Sequence, residues 1–136
     1  PDSTNSYGRM LIEKIDNKTV INDCYNANPD SVLVALDTLK LFDNKKIAVL
    51  GDMLELGENS ILEHREILNY ASNIADEVYL FGNIYKNLDM TVNSEHFNNK
   101  EDITDKLKGI SDKCTILIKG SRGMRLEVVI DSLKSR

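Results

Sequence analysis

No apolar run in this sequence approaches eighteen residues, so no membrane-spanning helix is expected. Nothing at its start reads as a secretory leader either. Basic residues are outnumbered, with 17 Lys and Arg against 22 Asp and Glu and a net charge of −5. That balance argues against nucleic acid or an anionic membrane as a partner. There are two cysteines, Cys24 and Cys114, far apart and each in or beside an apolar run. They match no metal or redox spacing, and buried, reduced thiols in a cytoplasmic protein are expected. The sequence also lacks internal repeats, a P-loop, a nucleophile elbow, a Ser-His-Asp order and a Cys–His pair. It names no catalytic residue by motif alone.

What is present is an alternation of short apolar runs and amphipathic segments in 136 residues, the size of one domain. "MLIEKI" (10–15) and "TVINDC" (19–24) read as strands joined by the Asp16-Asn17 turn. From Pro29 the period becomes helical, with Val32, Leu33, Leu36 and Leu39 on one face and Asn28 as N-cap. "KKIAVL" (45–50) has the unbroken apolar texture of a strand covered on both faces. After a polar loop, Ser60 and Glu63 suggest a capping box for a helix with Ile61, Leu68, Ala71 and Ala75 inward. Strands are expected at 77–82, 95–97 and 114–119. Helices are expected at 83–88, from Asn99 to Ile110, and at about 123–133. The sum is an α/β fold: a three-layer, Rossmann-like, mostly parallel sheet of about six strands with helices on both faces. The tight first turn makes the first strand antiparallel.

In open parallel sheets, ligands bind beyond the carboxyl ends of the strands. Three loops of that kind carry unusual residues. "NDCYNANP" gathers Asn22, Asp23, Tyr25, Asn26 and Asn28, a set able to accept from a ribose hydroxyl, stack, and both donate and accept. Asn28 taken alone reads better as a plain helix cap. "KGSRGM" places Lys119 and Arg122 around Ser121 and two glycines, suited to a carboxylate or phosphate. "GDMLELGEN" holds Asp52, Glu55 and Glu58 with His64 beyond it, but no metal-ligand spacing. His64 falls at helical spacing from Ile61 and Leu68, as a satisfied, partly buried histidine would.

"GRM" at 8–10, "NDCYNANPDS" at 22–31, "AVLGDMLELGE" at 48–58 with His64 following, and "KGSRGM" at 119–124 together resemble the C-terminal domain of the Mur ligases. Within that family the long matches are similar to the branch that adds a dipeptide rather than a single amino acid. The resemblance implies an ATP-dependent ligase joining D-alanyl-D-alanine to UDP-N-acetylmuramoyl-tripeptide in cytoplasmic peptidoglycan precursor synthesis. It implies residues 1–9 as an interdomain linker remnant, in keeping with their polar texture and lack of an initiator Met, and 10–136 as the domain. Nucleotide contacts would come from Arg9, Asn22, Asp23, Tyr25, Asn26 and Asn28. Asp52, Lys119, Ser121 and Arg122 would serve the acceptor dipeptide. ATP and Mg2+ would be held mainly by a central domain absent from this stretch, so no metal ligand is assigned here and the domain alone should not ligate. A monomer working with its own N-terminal and central domains is expected.

Two other readings compete. One is a stand-alone flavodoxin-like binding or interaction module, with the polar loops as ordinary caps. The other is a phospho-receiver domain, which Asp23, Asp52 and Lys119 mimic superficially. The amide-rich loop after Asp23 speaks against the latter.

Overall fold

The computed structural model describes residues 10–135. Along them run β1 (Leu11–Ile15), β2 (Lys18–Asp23), α1 (Pro29–Lys40), β3 (Lys45–Gly51), α2 (Ser60–Ile74), β4 (Glu77–Phe81), α3 (Asn83–Lys86), β5 (Ser94–Phe97), α4 (Lys100–Lys108), β6 (Cys114–Lys119) and α5 (Glu127–Lys134). The six strands form one sheet in the order β1-β2-β6-β3-β4-β5. Only β1 runs against its neighbour; the other four pairings are parallel. The β1–β2 turn places Asp16 at φ +54 and is tied down by Asn17, whose side-chain amide donates to the carbonyls of Ile110, Ser111 and Asp112.

Two cores sit on opposite faces of the sheet, as the period-2 pleat requires. Ala48, Leu50, Val78, Leu80 and Leu117 face α1, α2 and α3, while Ile47, Val49, Tyr79, Ile116 and Ile118 face α4 and α5. Strand β3 is therefore buried on both sides, which explains its unbroken apolar run. Cys24 and Cys114 are both buried free thiols. Burial pushes the Cys24 thiol up to about 12, which keeps it protonated and unreactive at neutral pH.

Helix starts follow two of the three expected caps. Asn28 accepts from the Ser31 N–H at 2.9 Å and the Ser31 hydroxyl accepts from the Asn28 N–H, closing a reciprocal box. Asn99 accepts from the Asp102 N–H at 2.8 Å. The Ser60–Glu63 box does not form. Helix α2 follows a turn of tight helix at Gly57–Asn59, so the backbone is already helical where a cap would need extended geometry. The inner faces also shift. Leu33 and Ile61 are exposed, and Ala35 and Ile67 take the buried positions. α5 starts at Glu127, because a short tight turn at Arg122–Met124 and a left-handed Arg125 intervene.

Candidate functional site

In register, Asp23 is the partner of Lys119, and Lys119 is also the partner of Leu50. The carboxyl ends of β2, β6 and β3 thus finish level with one another, and the three polar loops share one rim. The loops are joined as well as adjacent. The Ser121 N–H donates to the Asp52 carbonyl at 3.1 Å, and the Ser121 hydroxyl accepts from the Leu54 N–H at 2.8 Å. A Cβ on Gly120 would lie 2.9 Å from the Gly51 Cα, so only glycine lets the β3 and β6 loops approach this closely.

The predicted residues occupy different depths of this rim. Asp23 and Lys119 are buried and form an ion pair at 3.1 Å. The Lys119 ammonium also donates to the Asn26 carbonyl at 2.8 Å. Tyr25 is exposed and carries the Arg122 guanidinium over its ring at 5.0 Å from the centroid. Asn22 donates weakly to Glu13 at 3.5 Å, and Asn26 accepts from the Ala27 N–H. Asn22, Cys24, Tyr25, Arg122 and Glu127 line a hollow of about 220 Å³. Glu127 is a contributor that the sequence did not point to, since it lies on the first turn of α5, outside the conspicuous loop. Arg9 lies outside the described residues.

Asp52 is almost wholly buried, 3% exposed. Both its oxygens accept from the backbone of α3, from the Ile84 N–H at 3.0 Å and the Tyr85 N–H at 3.2 Å. It caps a helix that follows a different strand. Gly82 makes this possible, because at φ +121 a Cβ there would stand inside the Asp52 carboxylate. His64 is fully buried: its Nε2 accepts from the Met53 N–H at 2.9 Å, which leaves Nδ1 to donate to the Ser60 carbonyl at 2.7 Å. The middle loop's acids therefore do not converge with His64. Among the described residues no three His, Cys, Asp or Glu side chains could hold a metal ion.

Tyr85 packs edge-on against His64, ring centroids 4.7 Å apart. Its hydroxyl is buried without a hydrogen-bond partner among the described residues. Burial first and the charge of Asp52 second push its ionisation upward, so it is a neutral phenol. Because an unpaired hydroxyl contributes nothing here beyond a desolvation cost, Tyr85→Phe is expected to raise stability by about 1 kcal/mol. Urea denaturation of both forms measures it, and a loss of similar size would show that the hydroxyl is paired.

A family model, the glutamate ligase domain of the Mur ligases, matches residues 8–122. The chain belongs to the Mur ligase family. A UDP-N-acetylmuramoyl-tripeptide–D-alanyl-D-alanine ligase of Haemophilus influenzae is 38% identical over 138 residues, covering 95% of this chain and 30% of the relative. The ligase of that name from Buchnera aphidicola (subsp. Baizongia pistaciae) is 41% identical over 122 residues, or 85% of this chain and 26% of the relative. Among solved structures, a MurF ligase from Thermotoga maritima in complex with ADP superposes with a TM-score of 0.84 at 28% identity, covering 93% of this chain and 30% of that one. This Mur ligase chain thus spans about 30% of the length of such relatives, the C-terminal domain of the architecture, with the antiparallel first strand included.

Proposed function

We propose that this domain forms the C-terminal part of a cytoplasmic ligase. That ligase uses ATP to join D-alanyl-D-alanine to UDP-N-acetylmuramoyl-tripeptide, with residues 1–9 linking this domain to those that precede it. The observation that carries the reading is the convergence of all three motif loops on one rim, in a fold that matches an ADP-bound ligase of this type. No helix among the described residues is long and apolar enough to cross a membrane.

In this reading the β2–α1 loop faces the nucleotide. Asp23 accepts from a ribose hydroxyl, Tyr25 offers a ring, and Asn22 and Asn26 border them. Asn28 serves the loop by fixing the start of α1, and Arg9 reaches the phosphates. The acceptor group divides in two. Arg122 is exposed, has no carboxylate partner among the described residues, and is the cation for the dipeptide's carboxylate. Asp52 and Ser121 hold the neighbouring loops in place, since their polar atoms already have backbone partners. In this reading ATP and Mg2+ are held mainly by the central domain of the intact ligase, outside this stretch.

An acyl-phosphate intermediate would be lost to water in an open site. A domain that brings a rigid rim over the reactants therefore suits the chemistry. The test is an ADP-release assay on the intact ligase with UDP-sugar tripeptide, with and without D-alanyl-D-alanine. Turnover should depend on the dipeptide, and this domain alone should show none. In the intact protein, Asp23→Ala should raise the KM for ATP about tenfold or more, the worth of a charge-assisted hydrogen bond, and leave that for the dipeptide within twofold. A larger change in the dipeptide KM would refute the nucleotide assignment.

A further inference from the structure

Lys119 was expected to greet the acceptor's carboxylate, yet its ammonium points elsewhere. It is 2% exposed, the last residue of the central strand β6, and its side chain crosses to the β2–α1 loop. There one ammonium reaches two groups of that loop: the Asp23 Oδ2 at 3.1 Å and the Asn26 carbonyl at 2.8 Å. A lysine ammonium has three donors and no acceptor, so in this position it can organise oxygens from several directions at once. The other carboxylate oxygen of Asp23, Oδ1, has no partner among the described residues.

We propose that Lys119 is a positioning residue for the nucleotide and takes no part in holding the acceptor. By gripping Oδ2 it fixes the rotation of the Asp23 carboxylate and presents Oδ1 to the ribose. By gripping the Asn26 carbonyl it holds the loop between Asp23 and the start of α1 in the curvature that brings Tyr25 to the rim. The burial of the pair gives this grip its stiffness: with little water present, neither charge can exchange the other for solvent. The inference rests on the reading of Asp23 as a nucleotide ligand and adds the residue through which that ligand is held.

The experiment measures KM for ATP and for D-alanyl-D-alanine, and kcat, in the intact ligase carrying Lys119→Met, Lys119→Arg, Asp23→Asn, or Lys119→Met with Asp23→Asn. Lys119→Met keeps the side chain's length and should raise the KM for ATP about tenfold, since the carboxylate loses its charge-assisted partner. The dipeptide KM should stay within twofold. Adding Lys119→Met to Asp23→Asn should change the ATP KM less than twofold further, because the lysine acts through the aspartate. Lys119→Arg keeps the charge and should recover part of the loss; it reads the same split between the two KM values if Lys119→Met does not fold. A dipeptide KM that rises more than the ATP KM would overturn the proposal and return Lys119 to the acceptor. Effects of the two substitutions that multiply would overturn it too. If Asp23→Asn by itself leaves the ATP KM unchanged, the nucleotide reading itself has failed, a result separable from the other two.

Discussion

Gly82→Ala is expected to cost this domain about 4 kcal/mol, among the larger single-residue losses a small domain shows. Two effects add. Gly82 has φ +121 and ψ 160, a region of backbone space essentially reserved for glycine, and a side chain there stores about 1–3 kcal/mol of strain. The new methyl would also stand in the place of the Asp52 carboxylate. Asp52 cannot retreat without giving up the Ile84 and Tyr85 N–H groups, and it is almost wholly buried, so water does not replace them. Each such bond to a charged group contributes about 1.5–3 kcal/mol. Urea denaturation of the two forms measures the loss. A difference under about 1 kcal/mol would mean that the Asp52 carboxylate is not locked against α3. The consequence reaches function, because the Asp52 carbonyl also receives the Ser121 N–H. Displacing Asp52 should loosen the loop that carries Arg122.

His64→Ala is expected to cost about 3–4 kcal/mol, from the cavity left by a fully buried ring and from the Met53 N–H and Ser60 carbonyl it would leave unpaired. The imidazole links the Met53 N–H, just after β3, to the Ser60 carbonyl in the first turn of α2. Without it the loop from Asp52 to Asn59 loses its inner anchor, and Tyr85 loses the ring against which it packs. His64→Gln, which can reach one of the two backbone partners, should recover part of the loss. Equal losses for alanine and glutamine would show that ring packing, and not the two hydrogen bonds, accounts for the effect.

Much of the architecture could be read from local signals. β3 announced itself by a run too apolar to face water on either side, and the Asp16-Asn17 turn left β1 no option but to run antiparallel to β2. Asn28 and Asn99 were legible as caps because capping is a matter of three or four residues. Ser60 and Glu63 carried the same signature and did not cap, since the helical turn just before them had already changed the backbone geometry. Leu33 and Ile61 match the helical period as well as residues that are buried. Which edge of an apolar stripe meets the sheet depends on how the helix is rotated against it, and that is set by the opposing side chains.

At the rim, the three loops could be found by their composition, but the wiring among them could not. Asp52 looked like a free carboxylate at a strand end because the groups that occupy it, at Ile84 and Tyr85, lie more than thirty residues away and belong to the backbone. Lys119 looked like a free cation for a related reason. Its partner Asp23 is nearly a hundred residues distant, and only the register of β2 on β6 brings them together. Gly82 does carry a local signal, since a glycine at the end of a strand often marks a close approach.

Strand β6 is the last strand among the described residues and lies inside the sheet, between β2 and β3. On a ribosome, vectorial synthesis delivers the two flanking parts of the sheet first, without the strand that joins them. Until residues 114–119 emerge, β2 and β3 each present an unpaired parallel edge, and their cores lack Ile116, Leu117 and Ile118. The nascent domain therefore passes through a stage that is sticky by construction, ended only when the final strand slots in. Lys119, the residue that closes that slot, is the same one that pairs with Asp23 at the rim, so the ion pair there should form late, together with the sheet.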